Sequence, residues 1–217
     1  MRLVTFLLIG IPVMGFLKPL QADSAGAAQA AIGFTGGSTI TGSSSTGITG
    51  ICEWYLPLVG DLGVTTTSTG AAALSPALFS DPANPSTDTA HLVWVSPFSA
   101  AFLPVPGSPQ TVLLAPAGAA TIYYSDKPSH AFWTDPAHNG VVVATFIRHA
   151  GLLQSGDGLA TDSFIFTAEL TSSRTFVLNG RAFNFRDLIP NGMTCFETGR
   201  IGSSSEVGTC VAIGDGH

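Results

Sequence analysis

The segment 126–140 holds the densest group of side chains that could do chemistry. Two aspartates and two histidines lie close together there: Asp126, His130, Asp135 and His138. Imidazole and carboxylate groups are ligands for zinc and similar cations, and a histidine beside an aspartate can also transfer protons. The four residues are therefore a candidate site for a metal ion or for acid–base catalysis.

Turn chemistry offers a plainer interpretation of the same segment. Asp135 precedes Pro136, and Asn139 precedes Gly140, and both pairs form turns without any ligand. The spacing of the histidines and aspartates also matches no established metal-binding motif. We give this interpretation more weight, so the main prediction includes no cofactor and a metal ion is the secondary one.

Trp133 is the best candidate for a binding residue in this segment. It lies among turn-forming and polar residues rather than in a strand-like run, and an exposed aromatic beside polar groups suits a binding hot spot. Arg148 directly follows the apolar run 141–147. This position would place it either at the mouth of a barrel or, as is more common, at the solvent-exposed end of a strand. The predicted ligand-binding residues are Trp133, His130, Arg148 and Tyr123.

The motifs of common enzyme classes are absent from the sequence. It has no nucleophile elbow, phosphate-binding loop, zinc-protease helix, Cys-x-x-Cys pair or dinucleotide glycine fingerprint. A glycosidase needs two carboxyl groups at a defined distance from each other in space. The acidic residues that could include such a pair are Glu53, Asp61, Glu169 and Glu197. The sequence therefore favours a noncatalytic protein and leaves an enzyme as an alternative.

The first thirty residues are typical of an export signal. Arg2 is followed by the apolar stretch 3–17 and then by small residues. The apolar stretch has about fifteen residues, whereas a membrane-spanning helix needs about twenty, so an uncleaved anchor is the weaker interpretation. We expect cleavage after Ala30 or Ala22, export to a periplasmic or extracellular location, and no transmembrane segment in the mature chain.

Three cysteines fit an oxidising compartment, where thiols tend to pair. Cys195 and Cys210 lie in two β-like runs that flank a loop rich in glycine and serine, so they are the predicted disulfide. Cys52 is then left over, and its apolar neighbours favour burial over a reactive thiol.

Composition narrows the range of partners. The 217 residues include 8 basic and 14 acidic side chains, a formal net charge of −6, and only 10% are charged, against about a quarter in ordinary soluble domains. The basic residues are scattered, whereas a nucleic-acid groove needs several cations on one face. Nucleic acid is therefore excluded, and the expected partner is a protein, a saccharide or an apolar small molecule.

Short apolar runs separated by proline, glycine and aspartate predict an all-β fold. These runs are 51–56, 62–67, 91–95, 111–114, 119–124 and 141–147. Residues 163–171 alternate, so that Phe164 and Phe166 share a core-facing side. Residues 31–50, rich in glycine, serine and threonine, are expected to be a flexible leader or an edge strand, and residues 51–217 a single domain.

Asn179-Gly180 is the strongest hairpin signal, because a type I′ turn needs positive φ at both positions. Counting outward pairs Leu178 with Arg181 and Phe176 with Phe183, and we expect this hairpin in the core sheet beside Phe164 and Phe166. Two segments, 70–74 and 96–103, are predicted to form short helical turns.

The sequence as a whole predicts a single-domain antiparallel sandwich or squat barrel with one or two short helical turns. The primary functional hypothesis is an exported noncatalytic β-domain for recognition, adhesion or envelope organisation. One alternative is a β-barrel that binds an apolar small molecule. The other is a small secreted enzyme or metal-binding protein that uses the segment from Asp126 to His138.

Overall fold

The computed structural model describes residues 31–59, 64–66, 72–74, 78–107, 111–114, 118–155, 162–200 and 202–213. The first seven strands are β1 (Ala31–Ser44), β2 (Gly47–Val59), β3 (Val64–Thr66), β4 (Ala72–Leu74), β5 (Leu92–Pro104), β6 (Thr111–Leu114) and β7 (Gly118–Tyr124). The remaining strands are β8 (Val141–Ser155), β9 (Asp162–Ser173), β10 (Phe176–Leu178), β11 (Arg181–Phe183), β12 (Met193–Gly199) and β13 (Glu206–Ala212). The helices are α1 (His130–Thr134), α2 (Pro136–Asn139) and α3 (Phe185–Leu188). The predicted export signal and its cleavage sites lie outside the described residues.

Eight strand positions close into an antiparallel barrel. The order around the barrel is β1, β2, β5, β7, β8, β9, β12 and β13, and β13 pairs back onto β1. Strand β6 pairs with β5 and β8 farther along the same two strands and so continues the position of β7. The predicted all-β antiparallel fold is confirmed, and of its two forms the structure shows the barrel.

Alternation along the strands sorts side chains between the interior and the outer wall. In β9, Phe164, Phe166, Ala168 and Leu170 are buried, as the sequence predicts, while Ile165 is exposed. Because successive side chains point to opposite faces of a strand, this pattern requires a single packed interior. The barrel supplies that interior.

Large side chains pack against one another in the barrel interior. The rings of Trp54 and Trp94 lie 5.3 Å apart between centroids, and Phe34 contacts both indoles at 4.7 and 5.4 Å. The other large, fully buried residues include Ile32, Leu56, Leu92, Phe146 and Phe166. Burial of this apolar area is the main stabilising contribution to the fold.

The β10–β11 hairpin has the register that the sequence predicts. Phe176 pairs with Phe183 and Leu178 with Arg181, and Asn179 and Gly180 have φ of 50° and 78°. The expectation that it belongs to the core sheet is wrong, because β10 and β11 form a separate two-stranded sheet.

The hairpin instead covers the end of the barrel at which β7 ends and β8 begins. The ring of Phe176 lies 5.0 Å from Tyr124 and 5.9 Å from Phe185, rather than against Phe164 and Phe166. Pairing stops after Phe183 because the Asn184 side chain accepts a hydrogen bond from the backbone of Arg186 and begins α3.

The two predicted helical turns are strands. Residues 96–103 belong to β5, which pairs with β2 on one side and with β6 on the other, and residues 72–74 form β4, which pairs with β3. Hydrogen bonding to neighbouring strands outweighs weak local helix signals. The short helices lie in the segment 130–139 and at 185–188 instead.

Residues 31–50, for which sequence composition favours flexibility, form β1 and the start of β2. Strand β1 is not an edge strand, since it pairs with β2 and with β13.

The predicted disulfide is confirmed between Cys195 and Cys210, which occupy directly opposed positions of β12 and β13. Cys52 is buried with a free thiol, and burial, reinforced by Glu197 and Glu206, raises its pKa. Among the described helices, none has the length and hydropathy of a membrane span.

Candidate functional site

A groove of about 490 Å³ runs over the outer face of β1 and β2. Its floor comes from cross-strand pairs, Thr35 opposite Tyr55 and Gly37 opposite Glu53, whose neighbours along β2 point into the core. Thr87 and Trp133 lie at one end of the groove, and the loop 202–204 lies at the other. A volume of this size is typical of sites for small molecules.

Helix α1 places Trp133 at the groove. The Ser129 side chain accepts a hydrogen bond from the Phe132 backbone at 3.3 Å and begins the helix. Phe132 is fully buried, and its ring packs so closely on Gly140 that a Cβ there would lie 2.4 Å from a ring carbon. With Phe132 anchored in this way, the next residue, Trp133, is held half-buried at the surface.

Tyr55 and Trp133 form an aromatic corner in the groove. Their ring centroids are 6.4 Å apart and their planes meet at 75°. The ring of buried Phe79 contacts Tyr55 from another side at 6.0 Å. Partial burial raises the pKa of the Tyr55 phenol, so its hydroxyl keeps the proton and remains a hydrogen-bond donor.

Glu53 is the carboxylate that lines the groove. The salt bridges within the described residues are three histidine–carboxylate pairs, and none includes Glu53. Partial burial raises its pKa, because a carboxylate loses hydration there. Gly37 lies opposite it in the register, so no side chain shields this carboxylate from the β1 side.

The loop 202–204 is fixed to the barrel. The Ser38 backbone N–H donates to the Ser203 carbonyl at 2.9 Å, and the Gly202 N–H donates to Ser38 Oγ at 2.9 Å. A Cβ on Gly37 would lie 2.2 Å from the Ser203 carbonyl oxygen, so the loop rests directly on this glycine. Ser38 Oγ in turn donates to buried Glu206, which connects this wall of the groove to the interior.

The structure distributes the predicted ligand-binding residues among different surroundings. Trp133 lines the groove. His130 does not, but its imidazole lies 3.1 Å from Asp88, which joins α1 to the segment that carries Thr87. Tyr123 is half-buried in β7 and outside the groove.

Arg148 lies inside the barrel rather than at a wet strand end. It is 1% exposed and shares the inward face of β8 with Phe146. Alternation in the sequence places Arg148 and Phe146 on the same side of the strand. In the structure this side faces the interior at both positions.

The predicted metal-binding residues separate into different pairs. His138 contacts Asp135 at 2.8 Å, and this contact raises the pKa of His138. His130 pairs with Asp88, and Asp126 belongs to neither pair. The described residues contain no group of three histidine, cysteine or acidic side chains suited to a metal ion. The geometry therefore lends no support to the metal or acid–base prediction.

Of the four carboxylates considered for a glycosidase pair, the three that the structure describes lie in different places. Glu53 lines the groove, Glu197 is buried in the interior, and Glu169 pairs with His149 at 2.7 Å on the outer wall. Asp61 lies outside the described residues.

Sequence reasoning considered Glu53 as one of four candidate carboxylates, but it did not place Glu53 and Tyr55 together with Trp133 on one surface. A signal was present, since Cys52, Trp54 and Leu56 alternate as apolar residues and leave the two between them on the opposite face. Nothing in the sequence shows that this face meets α1.

Comparison with known proteins gives no match to a family, to a curated protein or to a solved structure.

Proposed function

We propose that this protein is an exported, noncatalytic recognition module that binds a saccharide in the groove on β1 and β2. The observation that carries the proposal is the aromatic corner of Tyr55 and Trp133 beside the partly buried carboxylate of Glu53. Of the three expected partner classes, which are a protein, a saccharide and an apolar small molecule, the groove fits a saccharide best.

The lining of the groove suits the two kinds of surface on a sugar. The C–H face of a pyranose packs on an aromatic ring. The rings of Tyr55 and Trp133, whose planes meet at 75°, can contact one sugar unit from two sides. Sugar hydroxyls need acceptors and donors, which are supplied by Glu53, by the Tyr55 hydroxyl and by the small polar residues of the lining: Thr35, Ser38, Thr39, Thr87, Ser203 and Ser204.

The same lining argues for binding rather than cleavage. Glycoside hydrolysis uses two carboxyl groups on either side of the bond that breaks. Glu53 is the single carboxylate among the described residues that line the groove. The described part of the lining also contains no lysine or arginine, and the chain carries a net charge of −6, so a neutral saccharide fits better than an anionic one.

The disulfide supports the exported location. Cys195 and Cys210 are bonded, and such bonds persist in periplasmic or extracellular surroundings and are rare in reducing ones. A saccharide receptor in that location would meet envelope or environmental glycans.

An apolar ligand along the barrel axis is a weaker alternative. The rings of Trp54, Trp94 and Phe34 contact one another in the interior, so these side chains occupy space that a ligand extended along the axis would need. An enzyme based on the segment 126–138 is weaker still, because its titratable side chains do not converge.

Tryptophan fluorescence tests the proposal directly. The chain has three tryptophans, and Trp54 and Trp94 are fully buried whereas Trp133 is half-exposed. A panel of neutral mono- and disaccharides should include at least one that changes the Trp133 emission saturably. Calorimetry on the same sugar should show that Trp133→Ala lowers the affinity at least tenfold and that Trp133→Phe lowers it less.

Phe196→Ala is the matched control, because Phe196 is also an exposed aromatic, 48% accessible, but lies on β12 away from the groove. It should leave sugar affinity unchanged. An unchanged affinity in Trp133→Ala, or a panel without any binding in the millimolar range, would refute saccharide recognition.

A further inference from the structure

The barrel interior contains hydrogen-bond donors that are not satisfied within the part of the chain that the structure describes. Arg148, 1% exposed, donates from Nη2 to the hydroxyl of Ser96, but its Nε and Nη1 have no hydrogen-bond partner among the described residues. The indole Nε1 of fully buried Trp94 has none either. Buried donors without an acceptor are strongly unfavourable, and native proteins satisfy nearly all of them.

These donors lie in one region. Trp94 and Ser96 are successive inward residues of β5, and the Ser96 hydroxyl accepts from Arg148. The ring of Phe166 connects the two donor groups, since its centroid lies 5.0 Å from the Arg148 guanidinium carbon and 6.1 Å from the Trp94 ring. Both side chains that carry unsatisfied donors therefore contact the same aromatic ring.

The wall around Arg148 is built from small residues. Gly118 lies directly opposite Arg148 in the pairing of β7 with β8, and Ala120 is the next inward residue of β7. A Cβ on Gly118 would lie 3.5 Å from Arg148 Nη1, so no side chain covers that nitrogen from β7. An eight-stranded barrel is wide enough either to be filled by side chains or to hold one small ligand, and small wall residues favour the second arrangement.

The charges nearby select against an anion. Burial lowers the pKa of Arg148, and Cys52 and Glu197 counteract this effect, so the carboxyl group of Glu197 is close enough to act on the guanidinium. Glu206, 2% exposed, accepts hydrogen bonds from Ser38 and from the Trp54 indole. Two buried carboxyl groups, Glu197 and Glu206, therefore already supply negative charge to the interior, which disfavours a further anion there.

We propose that this region, the Arg148 chamber, lined by Trp94, Ser96, Gly118, Arg148 and Phe166, binds a small neutral molecule that has a carbonyl oxygen on an apolar body. The carbonyl oxygen accepts hydrogen bonds from Arg148 and Trp94. The apolar body packs against the aromatic ring of Phe166 and its neighbour Phe164, whose centroid is 5.4 Å from the guanidinium carbon. The chamber is on the inner side of the barrel wall and is independent of the saccharide groove on the outer side.

Nitrogen-15 NMR on the full-length mature protein tests the chamber with three probes of similar size: cyclohexanone, methylcyclohexane and cyclohexanecarboxylate. Cyclohexanone should shift the Trp94 indole and Arg148 Nε–H signals saturably. The Trp54 indole, which already donates to Glu206 at 3.0 Å, and the Trp133 indole on the outer wall should stay unchanged.

Paired variants separate binding from folding. Trp94→Phe keeps an aromatic ring but removes one free donor, and it should weaken cyclohexanone binding about tenfold, as expected for one hydrogen bond. Trp54→Phe is the matched control and should keep the affinity. If Trp94→Phe does not fold, Gly118→Ala serves instead, because its methyl group would contact Arg148 Nη1 and should also weaken binding.

Other outcomes overturn the proposal. Stronger shifts with cyclohexanecarboxylate would make this an anion site, and equal shifts with methylcyclohexane would show that the donors play no part. No shift of the Trp94 and Arg148 signals with any probe would mean that the chamber takes no ligand of this class. Because the readout is the Arg148 and Trp94 signals, none of these results bears on the saccharide groove.

Discussion

Cys195 and Cys210 face each other across β12 and β13, and their disulfide lies inside the barrel rather than on its surface. The inward faces of the same two strands also carry Glu197 and Glu206, which are 7% and 2% exposed. The disulfide therefore holds together the part of the wall that brings two carboxyl groups into the interior.

Removing the disulfide should destabilise the protein substantially. The cysteines are 15 residues apart, and closing a loop of that length contributes about 3 kcal/mol to the free energy of unfolding in the chain-entropy treatment. We expect Cys195→Ala/Cys210→Ala to lose about that amount in urea denaturation. Cys52→Ala, which truncates a buried thiol without removing a crosslink, should lose only about 1 kcal/mol, and equal losses would contradict the prediction.

The two buried indoles should differ in their importance for stability. Trp54 Nε1 donates to Glu206 at 3.0 Å, whereas Trp94 Nε1 has no hydrogen-bond partner in the described residues. Trp54→Phe takes one donor from a buried carboxyl group, so it should lower the free energy of unfolding by about 1–3 kcal/mol more than Trp94→Phe does. Urea denaturation at neutral pH measures both, and a larger loss in Trp94→Phe would be inconsistent with this arrangement.

Glu53 should make stability fall as the pH rises. Burial raises its pKa in the folded protein above the ordinary value of 4.5, so the folded state binds this proton more tightly than the unfolded chain does. Stability is then lost progressively as the pH rises from 4.5 through the folded pKa. Glu53→Gln should flatten the dependence of unfolding free energy on pH in that window, with Glu169→Gln as the control for removing one negative charge. An identical slope in wild type and Glu53→Gln would count against the burial of this carboxyl.

Gly140→Ala should displace Trp133 through Phe132. The φ of Gly140 is −138°, which alanine also adopts, but the added Cβ would lie 2.4 Å from the Phe132 ring. Overpacking of this kind costs about 1–3 kcal/mol, and we expect a red-shifted Trp133 emission and weaker sugar binding. Gly107→Ala strains the backbone at φ +77° but meets no atom within 4 Å, so it should leave the Trp133 emission unchanged.

His138 should titrate above its ordinary pKa of 6.5, because its hydrogen bond to Asp135 favours the protonated imidazole. The stabilisation from this pair is complete below 6.5 and is lost as the pH rises through the folded pKa of His138. Asp135→Asn should move the imidazole titration, followed by proton NMR, back toward 6.5.

The same spectra with added Zn²⁺ test the metal prediction, and simultaneous shifts of His130 and His138 that are lost in His130→Ala would support it.

Local signals explain what could be predicted from the sequence. The positive φ at Asn179 and Gly180 follows from the residues of the turn alone, and the pairing of Cys195 with Cys210 follows from a short loop between two β-like runs. The alternation of Phe164 and Phe166 is likewise visible within one strand. Each of these features depends on residues that are near each other in the chain.

Long-range pairing explains what could not be predicted. Arg148 would be a strand-end residue if β8 stopped near 147, but β8 runs to Ser155 because it pairs with β9 and β6. The groove likewise depends on α1 packing over β2, which brings Trp133 against Tyr55. No local pattern encodes a contact between segments so far apart.

Pairing of β1 with β13 has a consequence for how the chain acquires its fold. Residues 31–36 bond to residues 206–211, so the ring of strands cannot be completed until nearly all of the described chain has left the ribosome. Contacts of such high sequence separation make folding slow. If the chain is exported as proposed, this delay keeps the polypeptide unfolded while it crosses the membrane. The barrel then closes, and the cysteines are oxidised, on the far side of the membrane.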